Sequence, residues 1–316
     1  MMAADSLNHR RTRIGRGGVV PVAFWIVGMY LATALAAGIS LDGRAATGLA
    51  TLVFVVGGMP HGAYDIALLT RATRLRHGWL WLAVAGYVGI AIGMAVLWVV
   101  VPAGGLILFL MVAAIHFGED WTMLDEPLLK MAAGTAIIAA AAIGHPAQVA
   151  ALFVTMASGP GGAVIARAAI AVAPVALLVT SVGIWVAWRE GAREWAAATA
   201  VAIVALILLP PVAGFALFFV FLHSPRHLSE ARALLDDMPR AKWLTTGAAM
   251  SALAIGGWWL FASGVEALPA DMTAQAFQLL AAVALPHLLL SRWLERRLAP
   301  AVSGQGDEFC VRGTDP

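Results

Sequence analysis

The chain has 316 residues, of which 61% are hydrophobic and 12% charged, and its mean hydropathy is +0.85; soluble domains carry about 25% charged residues, so a water-soluble enzyme is excluded. The single cysteine, Cys310, lies in a polar tail, which rules out a disulfide framework and any cysteine-based zinc or iron–sulfur site. The formal charge of +2 is a small excess placed beside apolar blocks, where membrane topology explains it better than nucleic acid does.

In chain order, a basic segment over 1–18, with Arg10, Arg11, Arg13 and Arg16, leads into the apolar run Val19 to Ile39. That run is too long for a signal peptide and reads as an uncleaved first span. Apolar blocks long enough to cross a hydrocarbon core of about 30 Å predict spans near 19–39, 46–70, 78–101, 104–123, 128–144, 163–188, 195–209, 212–233, 243–263 and 272–291. Pro210-Pro211 forces a break after the seventh, so spans seven and eight form a tight hairpin or one broken helix. The stretch His145 to Gly162, interrupted by Pro146, Pro160 and three glycines, reads as an extramembrane or re-entrant loop. Merging seven with eight and dropping a weak block gives eight spans, so the expectation is an all-α transmembrane bundle of about eight to ten.

With the N-terminus inside, the inner segments receive the N-terminal cluster, Arg71/Arg74/Arg76, Lys130, Arg189/Arg193, Arg226/Arg232/Arg240/Lys242, Arg292/Arg296/Arg297 and Arg312, and only Arg44 and Arg167 fall outside. The layout is therefore a single domain over 19–298 in the inner membrane, between a cytoplasmic segment 1–18 and a cytoplasmic tail 299–316.

Of eight histidines, His9 and His77 lie in basic segments and His145 in the outer loop, leaving His61, His116, His223, His227 and His287. The spans that carry these five run in the same direction and place them at similar depth, near the cytoplasmic side. Ionisable groups inside a bilayer are costly and usually face a bundle interior or a cavity, so a shared depth points to one site. His223-Ser-Pro-Arg-His227 puts two imidazoles one helical turn apart, within reach of one metal ion. Asp65 and Asp120 each follow a histidine by four residues and are placed to accept the far ring N–H of a ligating imidazole. Direct metal binding by either carboxylate stays open, and the plain alternative for both is a charge at a helix end.

Pro60, Pro225 and Pro286 sit beside His61, between His223 and His227, and beside His287. Read as helix-interior prolines, they free the carbonyls of Val56, Phe221 and Ala282, a break tolerated in a membrane where the backbone lines an enclosed cavity. Candidate walls are Tyr64, Phe117, Trp121, Phe215, Phe218, Phe219 and Phe221, although aromatics at this density are more often core or lipid-facing. Trp79, Trp81, Trp188, Trp195 and Trp243 fit interfacial belts.

No HExxH motif is present, which removes zincin-type proteases, and five histidines do not fill the two irons of a membrane desaturase. Four imidazoles suit iron, copper or zinc. A closed four-coordinate zinc is structural, whereas four histidines on a six-coordinate Fe(II) leave two positions open, an oxygenase arrangement.

Gly58-Met59-Pro60-His61-Gly62-Ala63-Tyr64-Asp65, His116-Phe117-Gly118-Glu119-Asp120, His223-Ser224-Pro225-Arg226-His227 and Pro286-His287 closely resemble the Brp/Blh family of bacterial and archaeal membrane β-carotene 15,15'-dioxygenases. The resemblance runs from about residue 20 to 295. It implies a non-haem Fe(II) bound by His61, His116, His223 and His227, with His287 as a further motif position standing evenly between ligand and cavity residue. It also implies cleavage of the central double bond of β-carotene by O2 into two molecules of all-trans-retinal, which would serve a microbial rhodopsin. The runner-up is an oxygenase of the same family acting on another carotenoid or apocarotenoid. The rival from another class is a histidine-lined metal or proton transporter, which needs ligands strung through the full membrane depth.

Overall fold

The computed structural model describes residues 20–73, 77–122, 124 and 126–298, and every regular element among them is a helix. The predicted segments 1–18 and 299–316, with His9 and Cys310, lie outside the described residues, as do Arg74 and Arg76. In order the helices are α1 (Val22–Ala36), α2 (Arg44–Gly58), a 3₁₀ turn (Met59–Gly62), α3 (Asp65–Thr73), α4 (His77–Val100), α5 (Pro102–Gly118), α6 (Pro127–Gly144), α7 (Pro146–Met156), α8 (Gly161–Arg189), α9 (Arg193–Leu208) and α10 (Pro211–Phe218). A π-helical turn (Phe219–His223), α11 (Ser224–Leu234), α12 (Arg240–Ser263) and α13 (Met272–Leu298) complete the chain.

Prolines set most of these starts. Pro102, Pro127, Pro146 and Pro211 occupy the first turns of their helices, where the missing N–H has no intrahelical partner to lose. Left-handed residues close three ends: Gly38 after α1, Ser158 after α7 and Gly191 after α8. At the last of these Ala192 N–H reaches back to Ala187 O at 2.9 Å, satisfying a carbonyl that the helix leaves open.

Among the described residues six helical stretches are long and apolar enough to cross a membrane: Arg44–Ala72, Gly78–Val100, Pro127–Gly144, Gly161–Arg189, Arg240–Ser263 and Met272–Leu294. Val22–Ala36, Pro102–Gly118 and Pro146–Met156 are shorter apolar helices. The chain is thus an all-helical, multi-pass membrane protein. The break expected at Pro210-Pro211 is present, since α9 ends at Leu208 and α10 starts at Pro211.

Three sequence expectations are corrected. The stretch 145–162 is not a loop: Pro146–Met156 forms α7, because Pro146 starts a helix and Val149, Phe153 and Met156 then line one buried face. Pro60 and Pro225 do not sit inside regular α-helices: they lie in the 3₁₀ turn that follows α2 and just past the π-turn, with helical backbone leading into both, so only Pro286 of the three lies inside an α-helix. Trp195 is buried and so is not an interfacial anchor. Trp195 packs edge-on against Trp121, with centroids 5.0 Å apart, and Trp243 stacks on Tyr64 at 3.6 Å.

The core forms where small residues let helices close in. α6 buries Ala133, Gly134, Ala136, Ala139, Ala140 and Ala142 between α5 and α8, the close approach expected when lipid tails give apolar side chains no preference for each other. At Gly134 a side chain would collide with the backbone of α5 at Ala114 and Gly118. α13 is the central element and touches α2, α3, α4, α5, α7, α12 and the 3₁₀ turn.

Candidate metal centre

Five imidazoles meet at one place, each delivered by a different piece of backbone. His61 sits in the 3₁₀ turn, His116 in the last turn of α5, His223 at the end of the π-turn, His227 in the first turns of α11 and His287 in α13 directly after Pro286. The wide π-turn re-aims side chains at the cost of regular hydrogen bonding, a device common at functional sites. It also brings the Phe219 ring against Gly58, where any Cβ would overlap the ring. The lack of a side chain at residue 58 therefore sets how closely the His61 and His223 segments approach.

His223 and His227 have ring centroids 4.5 Å apart, and His116 lies 4.8 Å from His223, 5.0 Å from His227 and 5.2 Å from His287. His61 lies 5.2 Å from His287 and 5.7 Å from His223. Two subsets place one donor atom each within 4.8 Å of one another: His61, His116 and His287, and His116, His223 and His227.

The ring orientations follow from the acceptors behind them. His61 Nδ1–H donates to the carbonyl of Gly58 at 2.5 Å. His116 Nδ1 is 3.1 Å from Glu119 Oε2, His223 Nδ1 2.7 Å from Asp120 Oδ2, and His287 Nδ1 2.9 Å from Asp65. Carbonyls and carboxylates only accept, so each of these four rings carries a proton on Nδ1, which leaves Nε2 as the nitrogen able to offer a lone pair to a metal. The Nε2 atoms of His116 and His223 face each other at 3.2 Å. That of His287 is buried with no hydrogen-bond partner. Facing lone pairs repel unless a cation lies near them, and a buried unpaired nitrogen is costly. Neutral imidazoles with carboxylates on their far side are also the usual donor set for a transition metal, so the residues fit a divalent ion. His227 differs: its Nε2 stands 3.4 Å from Asp120 Oδ1 without hydrogen-bond alignment.

The structure brings Asp65 and Asp120 to imidazoles, but not to those of their own helices. Asp65 pairs with His287 rather than His61, because the 3₁₀ turn breaks the 3.6-residue repeat between 61 and 65. Asp120 lies beyond the end of α5 and pairs with His223, while Glu119, which sequence reasoning left unassigned, takes His116. Glu119 also accepts from Arg292 Nε at 3.0 Å, and Arg226 donates to the backbone carbonyl of Asp120 at 2.8 Å. Tyr87 was missed too. It donates to Asp65 Oδ2 at 2.7 Å. Its signal was available: one of three tyrosines, placed in an apolar helix where a phenol needs a partner.

An apolar cavity of about 30 Å³ opens beside His61, His116 and His287, walled by Met59, Phe109, Ala113, Phe117, Phe219 and Leu280, among others. Of the seven aromatic candidates, Phe117 and Phe219 line it. Phe215 and Phe218 pack behind them, with centroids 5.2 Å from Phe219 and from Phe117 respectively. Tyr64, Trp121 and Phe221 do not border the cavity: Tyr64 bonds to Trp243 O at 3.0 Å, Trp121 belongs to a separate cluster with Trp195, and Phe221 packs at the edge of the main core. The sequence pattern pointed to aromatics near the histidines but missed Phe109 and Leu280, which come from other turns of α5 and α13.

A family model described as beta-carotene 15,15'-dioxygenase matches residues 52–295. The chain is 27% identical over 321 aligned positions to the probable beta-carotene 15,15'-dioxygenase Blh of Halobacterium salinarum, covering 86% of this chain and 91% of that protein. It is 27% identical over 268 positions to the beta-carotene 15,15'-dioxygenase of an uncultured marine bacterium, 66A03, covering 78% and 93%. No solved structure matches the chain.

Proposed function

The chain belongs to the beta-carotene 15,15'-dioxygenase family, and on that premise we propose that it is a membrane dioxygenase using Fe(II) and O2 to split the central double bond of β-carotene into two all-trans-retinal molecules. The observation that supports this most is the meeting of two overlapping donor groups, His61/His116/His287 and His116/His223/His227, the first of which borders an apolar cavity inside the helix bundle. His61, His116, His223 and His227 are the proposed ligands, with His287 presented to the same centre. Bound Fe(II) supplies the activation of dioxygen, for which the side chains here offer no substitute.

The remaining work falls to the protein. Asp120, Asp65 and Glu119 hold three imidazole tautomers by accepting Nδ1–H, and Gly58 O holds the fourth. The cavity wall excludes water and offers only shape and dispersion to a hydrocarbon, so the position of cleavage along a conjugated chain is set by how far the chain slides in. A cavity of about 30 Å³ cannot take a long polyene as it stands. Side chains such as Met59, with its freely rotating thioether, and Phe109 therefore move aside when substrate enters. The reaction needs no reductant and no net proton: one carbon–carbon double bond is lost and each oxygen atom ends in one aldehyde. In this reading the protein lies in the inner membrane with both termini cytoplasmic, draws its substrate from the bilayer, and passes retinal to a microbial rhodopsin.

The test is expression in a β-carotene-accumulating bacterial strain, comparing wild type with His223→Ala. Retinal with wild type and none with the variant is the expected result. No retinal from iron-loaded wild type moves the reading to another carotenoid, and a wild type that binds no metal revives the transporter.

A further inference from the structure

Behind His287 stands a chain of polar groups, drawn from three helices, whose pairing the histidine motifs do not predict. Tyr87 of α4 donates its phenol proton to Asp65 Oδ2 at 2.7 Å. Asp65, at the start of α3, lies 2.9 Å from Nδ1 of His287 in α13 through both of its oxygens. At the other edge of the same ring, Nε2 is buried and has no partner, and His287 shares a donor cluster and the cavity wall with His61 and His116. Neither Arg nor Lys pairs with Asp65 among the described contacts, so the phenol and the imidazole are the groups that hold this carboxylate in place.

We infer that Tyr87 is a positioning residue of the metal centre: it fixes Asp65, and Asp65 in turn locks the Nδ1–H tautomer of His287 and aims its Nε2 at the ion. The reasoning is geometric. A carboxylate with one donor can pivot about its Cγ and let the ring swing, whereas a carboxylate held by two donors on separate helices cannot. The phenol also draws charge from Asp65 and so tempers how strongly the carboxylate polarises the imidazole. This inference rests on the metal-dependent reading above.

The test uses the full-length protein in detergent and two readouts besides retinal formation: Co(II) affinity by competition with a chelator, and the visible absorption of bound Co(II). Removing a partner behind a ligating imidazole typically costs roughly 10–100-fold in metal affinity. Asp65→Asn is expected in that range. Tyr87→Phe, which leaves Asp65 and His287 together, is expected near its lower end, with a displaced Co(II) band. In a His287→Ala background, Tyr87→Phe is expected to have no further effect, because its only route to the ion is gone. Wild-type affinity and spectrum for Tyr87→Phe overturn the inference, as does an undiminished effect in the His287→Ala background. Should Tyr87→Phe fail to fold, Tyr87→Met, which also removes the phenol donor, read in the presence and absence of His287 decides the same question. A wild type that binds no Co(II) or Fe(II) defeats the metal reading itself, which is a different result.

Discussion

α12 and α13 are neighbouring helices of similar length and comparable hydropathy, yet 11% of an 18-residue apolar window of α12 is buried against 61% of the matching window of α13. α12 exposes Leu253, Trp259 and Leu260, each about two-thirds accessible, whereas Ala274, Gln278 and Ala281 of α13 are almost wholly enclosed. Hydropathy reports only that a segment prefers not to meet water, and both lipid and protein satisfy that preference. What separates the two helices is the content of the buried face. α13 carries Thr273, bonded to Thr51 of α2 at 3.0 Å, along with Gln278 and His287, all buried. Polar groups at such positions need partners inside the bundle, so they tie a helix to its centre.

Substitutions on the two helices should therefore differ, and the largest difference lies at the candidate centre. His287→Ala is expected to reduce metal affinity and retinal yield on the order of 100-fold, at least the loss produced by removing an outer partner of a ligand; metal analysis of purified protein and pigment extraction check this. Retained metal and full activity would leave α13 a purely structural element. Next comes packing. Ala281→Leu, at a position 1% exposed, is expected to lower stability by about 1–3 kcal/mol through overpacking, read as a drop in Tm in detergent.

The contrast should change sign on α12. Gly256 has open space where a Cβ would go, so Gly256→Ala is expected to raise stability by about 0.5–1 kcal/mol by removing backbone freedom. Gly58→Ala, where the added atom meets the Phe219 ring, is expected to lower it. Equal responses at the two glycines would mean that the π-turn yields easily. The smallest effect belongs to Leu253→Ala on the exposed face of α12, expected within about 0.5 kcal/mol and without change in metal content.

Much of this organisation was legible in the chain. Each predicted apolar block coincides with a helical segment among the described residues, because a helix is the one open structure that satisfies its own backbone in lipid. The break at Pro210-Pro211 is present, and the five histidines singled out by depth stand together. Less visible was the short helix Pro146–Met156, whose glycine- and proline-rich flanks hide a buried face that α5, α6, α8 and α13 complete. The aromatic wall was half visible: Phe117 and Phe219 border the cavity, while Tyr64 and Trp121 turn to Trp243 and Trp195.

The sequence by itself determined the class of the protein, the order of its helices and which imidazoles could share a site, since hydropathy and residue type act locally and carry over unchanged into the fold. Tertiary structure alone decided the pairings. Asp65 serves His287, 222 residues away, and Asp120 serves His223, 103 residues away, although each follows another histidine by four residues. Helical spacing governs contact only while the helix is continuous. Here His61 lies in a 3₁₀ turn that ends before Asp65, and α5 ends between His116 and Asp120, so the carboxylates were free to meet whichever rings the packing of α11 and α13 brought to them.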